Sequence, residues 1–155
     1  MAPTYRLQVL TVEGELYSTD DAEFTLLPGA DGELGVLDRH VPLVVTLRPG
    51  PLTVTHGRGE EEILFVAGGF ADISRDPEGN TVVAVLADAG ERAADVDEAA
   101  AEEMRRRAQE MLAQKLSDED YAEAAALLER SIGRIRVAEI SRRRRPARSE
   151  RGMRG

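Results

Sequence analysis

The stretch Thr81-Val82-Val83-Ala84-Val85-Leu86-Ala87-Asp88-Ala89-Gly90-Glu91-Arg92-Ala93-Ala94-Asp95-Val96-Asp97-Glu98-Ala99-Ala100-Ala101-Glu102-Glu103-Met104 divides the chain in two. Its opening residues are branched and apolar in a strand pattern. Its closing residues are rich in Ala and Glu. There Asp95 and Glu98 stand three residues apart, the capping-box pattern, which predicts a helix opening near Val96. Before this stretch Gly and Pro are frequent; after it Ala, Glu, Arg and Leu dominate. The composition therefore predicts a β-rich unit followed by a helical one, with the boundary near residue 90.

Toward the N-terminus, strands are predicted at residues 5–11, 15–18, 23–27, 43–47, 52–56, 63–66, 70–74 and 81–87. Asp20-Asp21, Pro49-Gly50 and Pro77-Glu78-Gly79-Asn80 read as turns between them. Many short strands with no helix between them predict a sandwich or barrel. Toward the C-terminus, the first helix is predicted to reach about Gln114, with Val96, Ala100, Met104, Ala108, Met111 and Leu112 as its apolar stripe. Ser117 with Asp120 caps a second helix reaching about Ser141. Tyr121, Ala125, Leu128, Ile132 and Ile135 give it a seam spaced for another helix, so an antiparallel hairpin is expected. This Ala-rich hairpin has few large apolar side chains. It needs a surface to dock on, and a thinly held element can adopt more than one arrangement.

Composition narrows the function classes. With 42% apolar and 32% charged residues, the chain is globular rather than disordered. It has no Cys, which excludes a disulfide framework, a thiolate metal site and a cysteine nucleophile. Met1 to Arg6 lacks the pattern of a signal peptide, and no apolar run approaches the roughly 18 residues of a membrane-spanning helix. Residues 142–155 hold seven Arg against one Glu, a net of +6, which leaves −15 on the other 141 residues. An acidic body repels nucleic acid, and a basic tail seeks acidic surfaces. With Pro146, two glycines and no apolar face, residues 146–155 are expected to be disordered.

No motif builds an active site. Gly29, Gly32 and Gly35 lack the Gly-Lys-Ser/Thr of a phosphate loop and read as a glycine-bent β-loop. Asp72, Ser74 and Asp76 open like a calcium loop, but Pro77 stands where Gly is required, so a hairpin turn is expected. His40 and His56 are the only histidines and lie in no carboxylate cluster, a weak zinc case. No catalytic residue, metal site or cofactor is predicted.

A set of phrases in order carries a family resemblance. Gly32-Glu33-Leu34-Gly35-Val36-Leu37 followed by His40-Val41-Pro42-Leu43, then Leu47-Arg48-Pro49-Gly50, Val66-Ala67-Gly68-Gly69-Phe70 and Val83-Ala84-Val85-Leu86-Ala87-Asp88, resemble the sandwich of F-type ATP synthase epsilon subunits. Asp120-Tyr121-Ala122-Glu123-Ala124 and Arg134-Ile135-Arg136-Val137-Ala138-Glu139-Ile140 resemble their second C-terminal helix. The resemblance covers residues 4–141. It implies an α+β fold: a sandwich of about ten strands and an antiparallel two-helix hairpin.

It also implies a division of labour: residues 1–89 bind the gamma subunit and the c-ring, 90–145 are a regulatory hairpin, and 146–155 are a basic tail. The implied subunit is non-catalytic and belongs to the central stalk, the rotor, of a proton-translocating ATP synthase. It sits peripherally on the cytoplasmic face of the membrane, attached only through the c-ring. Glu33, Leu34, His40, Val41 and Pro42 match the c-ring and gamma contact; ordinary loop packing explains Leu34, Val41 and Pro42 equally well. Arg130, Arg134, Arg136, Arg142, Arg143, Arg144 and Arg145 match a basic face that, with the hairpin extended, contacts beta in the alpha–beta head and blocks ATP hydrolysis. A solvated helix face is the alternative for any one of them.

Some bacterial members bind ATP through an Ile/Leu-Asp-x-x-Arg-Ala motif. Here it reads Val96-Asp97-Glu98-Ala99-Ala100-Ala101, with Ala100 in place of Arg. Glu91, Asp97, Arg107, Arg130 and Arg134 remain as candidate nucleotide contacts. Losing a charge-assisted donor to phosphate costs on the order of 1.5–3 kcal/mol, so weak or absent binding is expected. Asp38-Arg39-His40 also departs from the family's Pro-Gly-His, which puts the local turn in question. The rival reading from outside the family is a stand-alone β-sandwich binding module with a dimerising helical arm.

Overall fold

In a computed structural model, which describes residues 2–144, the alternating apolar residues of the N-terminal half form one sheet that closes on itself. Its strands are β1 (Tyr5–Thr11), β2 (Gly14–Leu27), β3 (Leu34–Leu37), β4 (Leu43–His56), β5 (Glu61–Arg75), β6 (Thr81–Ala87) and β7 (Gly90–Arg92). They hydrogen-bond in the order β1-β6-β5-β4-β2-β3, with β7 on β5. β1 also pairs with β2, which closes the ring. The β1–β6 pair is parallel and the others are antiparallel. The result is a flattened, barrel-like sandwich.

The strands are fewer and longer than the ten or so short ones expected, because three predicted breaks are bends. β2 runs through Asp20-Asp21 with an irregular register, and so leaves β1 to join β4 and β3. β4 runs through Pro49-Gly50 in unbroken register with β5. Pro49 can sit there because the facing Ala67 N–H turns away, to Ala89 O at 2.9 Å. β5 bends at Gly68-Gly69, where φ is +116° and +119°. A Cβ on Gly69 would lie 2.0 Å from Leu86 O, so only glycine lets β5 pass β6 here.

The inward residues of these strands make the main core, among them Leu7, Val9, Leu27, Leu52, Val54, Leu64, Val66, Ile73, Val83 and Val85. Every fully buried member of that core lies between Tyr5 and Ala87. The Tyr5 hydroxyl sits within it, donating to Val36 O at 2.8 Å and lying 2.6 Å from Thr25 Oγ1. Burial, the largest cause, pushes its pKa up to about 12; the Thr25 hydrogen bond opposes this and the charge of Asp38 adds to it. The sheet continues through β7 to Arg92, three residues past the expected boundary.

After a single 3-10 turn at Ala93–Asp95 come α1 (Glu98–Leu112) and α2 (Asp118–Arg144). The helix cap is Asp97, not Asp95: its Oδ1 accepts the Ala100 N–H at 3.0 Å, while Asp95 lies in the 3-10 turn. Ser117 caps α2 as expected, its Oγ accepting the Asp120 N–H at 3.2 Å.

The hairpin forms, along lines that only partly match those expected: Ala108 and Ile135 are buried as expected. The buried residues of α1 are Ala101 and Ala108; Ala100 is exposed. On α2, Ala124, Ser131 and Ala138 are buried at the same seven-residue spacing, while Tyr121 and Ile132 are 56% and 48% exposed. Small side chains permit close approach of the two helices, so the seam follows Ala and Ser; of the larger apolar row expected on α2, Ile135 is buried and Leu128 half-buried, while Tyr121 and Ile132 stay outside.

Candidate functional site

α2 lies against β4 and β5, and α1 lies on α2. The face that meets the sandwich follows helical spacing through Gly133, Val137 and Ile140. Val137 is fully buried in a small second core with Ile63, Phe65 and Ala67, flanked by Ala93, Val96 and Ile140. Gly133 is the tightest crossing. A Cβ there would lie 3.0 Å from the Phe65 ring and 3.2 Å from both Gly50 N and Pro49 C. The Pro49-Gly50 bend is thus the platform on which α2 rests. Gly within a helix costs about 1 kcal/mol relative to Ala, and here close contact is what it provides.

Four arginines flank this face, each paired with a carboxylate of a different element. Arg134 Nε lies 2.7 Å from Glu91 Oε1, and its Nη2 donates to Oε2 at 3.3 Å. The Nε–H is not aimed at an acceptor, so that contact is ionic rather than a straight hydrogen bond. This is the most buried of the pairs. Arg136 reaches Glu33 at 3.2 Å, Arg144 reaches Glu61 at 2.7 Å, and Arg142 pairs with Glu98 of α1. Arg130 and Arg143 are exposed, with no carboxylate partner among the described residues. Arg145 and the tail expected at residues 146–155 lie outside the described residues.

The residues matched to the c-ring and gamma contact fall in two places. Leu34 begins β3 and packs against the main core, and Glu33 just before it is drawn toward α2 by Arg136. His40, Val41 and Pro42 lie beyond the other end of β3, where His40 Nδ1 is 2.8 Å from Val41 O. Around them Leu37, Val41, Leu43 and Val44 are 57%, 73%, 44% and 66% exposed. Leu37, Leu43 and Val44 were not among the candidate contact residues, although four large apolar residues within eight positions were there to be noticed.

The turn into this loop closes although Arg39 stands in place of glycine. His40 N donates to Leu37 O at 3.1 Å, and Arg39 stands at the third turn position with φ +65°. Pro at the second position and Gly at the third suit such a turn, and Arg39 holds the left-handed conformation instead. The Arg39 N–H donates to Thr81 Oγ1 at 2.8 Å, and Arg75 Nη1 donates to the same oxygen at 2.9 Å.

Of the candidate nucleotide contacts, only Glu91 and Arg134 are brought together. Asp97 is engaged as the helix cap, and Arg107 lies 3.4 Å from Glu103 on the exposed side of α1. Neither cleft at the hairpin junction is lined by any of the five. The glycine loop leads into β3, and the Asp76 carboxylate accepts the Glu78 and Asn80 N–H groups within a hairpin turn, mainly Asn80's, which lowers its pKa. His56 faces the Tyr17 hydroxyl at 2.6 Å between Nε2 and Oη.

Comparison with known proteins accounts for this two-part layout. The family model described as ATP synthase, Delta/Epsilon chain, beta-sandwich domain matches residues 4–93, and its companion long alpha-helix domain matches residues 94–139. The ATP synthase epsilon chain of Herminiimonas arsenicoxydans is 43% identical over 146 residues, covering 94% of this chain and all of that one. ATP synthase epsilon chain 2 of Ralstonia nicotianae is 43% identical over 143 residues, covering 92% and 99%. The fold also resembles a chain in the Euglena gracilis mitochondrial ATP synthase, OSCP/F1/c-ring (TM-score 0.73, 20% identity, 86% of this chain and 81% of that one). A chain of the Tetrahymena thermophila mitochondrial ATP synthase central stalk/c-ring is similar at TM-score 0.60, with 12% identity, covering 88% and 98%. The chain belongs to the ATP synthase delta/epsilon family, as an epsilon-type member.

Proposed function

We propose that this chain is a non-catalytic subunit of the rotor of a proton-translocating ATP synthase, with its sandwich joining the gamma subunit to the c-ring and its hairpin acting as a releasable inhibitor of ATP hydrolysis. The carrying observation is how the hairpin is held. The main core contains no hairpin residue. The hairpin rests on one narrow face around Gly133 and Val137 and on arginine–glutamate pairs. Release therefore exposes the small second core and leaves the main core intact. It also frees Arg134, Arg136 and Arg144 from the sandwich, and with the two helices parted Arg142 leaves Glu98; together with Arg130 these can meet an acidic segment of beta. Exposed Leu37, Val41, Leu43 and Val44, with His40 and Pro42, supply the c-ring and gamma contact in this reading.

Among the described residues no helix is long and apolar enough to cross a membrane, and attachment through the c-ring on the cytoplasmic face follows from the rotor role. Nucleotide binding is weak in this reading, because Ala100 lacks the motif guanidinium and Asp97 and Arg107 are engaged elsewhere. A titration giving a Kd below about 10 μM would reject that part. The functional test is reconstitution with the matching alpha–beta–gamma complex. Binding to gamma with salt-sensitive suppression of hydrolysis supports the proposal, and failure to bind gamma rejects it.

A further inference from the structure

We propose that Thr81 and Arg75 are positioning residues for the c-ring and gamma contact: they hold the loop at residues 38–42 in the conformation that presents it, a task made necessary by Arg39. This rests on the reading of that loop as the contact. Arg39 has φ +65°. Glycine takes this conformation freely and a residue with a Cβ does not, so arginine persists there only where its surroundings fix it. The loop supplies little fixing of its own. Its turn closes through the His40 N–H on Leu37 O at 3.1 Å, and Val41, Leu43 and Val44 beyond it are exposed.

The fixing comes from the end of the β5–β6 pair. Thr81 opens β6 and is 1% exposed. Its Oγ1 accepts the Arg39 N–H at 2.8 Å and Arg75 Nη1 at 2.9 Å, which uses both lone pairs of the hydroxyl oxygen. Arg75 Nη2 reaches His40 O at 3.5 Å. The loop backbone is thus held on both sides of the peptide that joins Arg39 to His40. Arg75 and Thr81 are partners across β5 and β6, and the turn between them is itself braced. There Asp76 Oδ1 accepts the Glu78 and Asn80 N–H groups at 3.0 and 2.8 Å. Asp76, the last of the three residues that open like a calcium loop, is thereby a strut for the contact loop. A partner that needs the held conformation binds more weakly in proportion to the fraction of chains that have left it.

Thr81→Val keeps the shape of the side chain and removes the acceptor. In the full chain it should speed hydrogen exchange of the His40 N–H, which closes the turn without touching Thr81, by about tenfold. It should raise the Kd for the matching gamma–c-ring assembly in detergent by about the same factor. Thr81→Ser keeps the hydroxyl and should leave both at the parent's values. Arg75→Met should act in the same direction as Thr81→Val; because Arg75 is exposed, it decides the matter where Thr81→Val lowers overall stability. In an Arg39→Gly background the effect of Thr81→Val should shrink to about twofold, since glycine needs no brace. Val41→Asp, at a side chain 73% exposed, separates this claim from the reading beneath it. If it leaves the Kd unchanged, the loop is not the contact, and the positioning role falls with that reading. If Val41→Asp weakens binding while Thr81→Val and Arg75→Met do not, the loop is the contact and the positioning role alone is overturned. Weaker binding in Arg75→Met with parent-like His40 exchange would make Arg75 a direct contact and overturn it. An equal effect of Thr81→Val with and without Arg39→Gly would make Thr81 merely structural and overturn it too.

Discussion

Replacing Gly133 with Val should release the hairpin while leaving both of its parts folded. A Cβ at this position already comes within 3.0 Å of Phe65 and 3.2 Å of the Pro49-Gly50 backbone, and Val adds two methyl groups beyond it. The backbone of β4 cannot retreat, because its register with β5 is unbroken from Leu43 to Thr55. Overpacking of this kind costs about 1–3 kcal/mol. Any change in helix propensity is common to the docked and released states while α2 stays helical, so it largely cancels in their ratio. The docked-to-released ratio should therefore fall about 5- to 150-fold. Trypsin reads this directly, since Arg130, Arg134 and Arg136 lie on either side of the substitution. The variant should be cut faster in α2 by that factor, with helix content and the sandwich's unfolding transition unchanged. An Ile132→Ala control, whose side chain is 48% exposed, should be cut like the parent. Parent-like protection in Gly133→Val would refute the claim that this crossing holds α2 down.

Arg39→Gly should stabilise the chain by about 0.5–1 kcal/mol, the relief of a left-handed residue less the added freedom of the unfolded chain; a lower melting temperature would count against a left-handed Arg39. Arg134→Gln should loosen the hairpin by about 1 kcal/mol and Arg136→Gln by less, because Glu91–Arg134 is the less exposed pair and is less screened by salt; equal hydrogen exchange in α2 for both variants would contradict this. Tyr5 predicts an alkaline limb. Its raised pKa means that its contribution is fully present below pH 10 and is lost as pH rises toward about 12. The loss amounts to about 2–3 kcal/mol, and a Tyr5→Phe variant should lack this slope while being less stable at neutral pH by about 1–3 kcal/mol.

What the sequence made legible was what local pattern encodes. Strand alternation, the Ser117 cap and the change of composition near residue 90 all appear in the structure because each is a property of neighbouring residues. The misreadings came from signals that tertiary context reverses. Pro49-Gly50 has the composition of a turn, yet it is a bend within the continuous strand β4, where the facing Ala67 donates elsewhere and no N–H is needed from Pro49. Asp95 has a capping-box partner, yet Asp97 is the cap. The expected stripes caught Ala108 and Ile135, which are buried, but missed Ala101, Ala124, Ser131 and Ala138, small residues that a periodicity reading weights least. Gly133 gave no local signal, because its role depends on Phe65 and Pro49, distant in sequence. The ion pairs of α2 were equally hidden. The sequence marked the arginines, but which carboxylates they meet is set by how the helix lies on the sheet.

The central claim is that a weakly held hairpin regulates the motor, and ATP hydrolysis by the matching alpha–beta–gamma complex tests it most directly. The complex should be assayed with the full chain and with a chain ending at Arg92, which keeps every strand and the main core. Both forms should bind gamma, and only the full chain should suppress hydrolysis, less so as salt is raised. Equal hydrolysis with both bound forms would contradict the account and leave the chain a structural coupler alone.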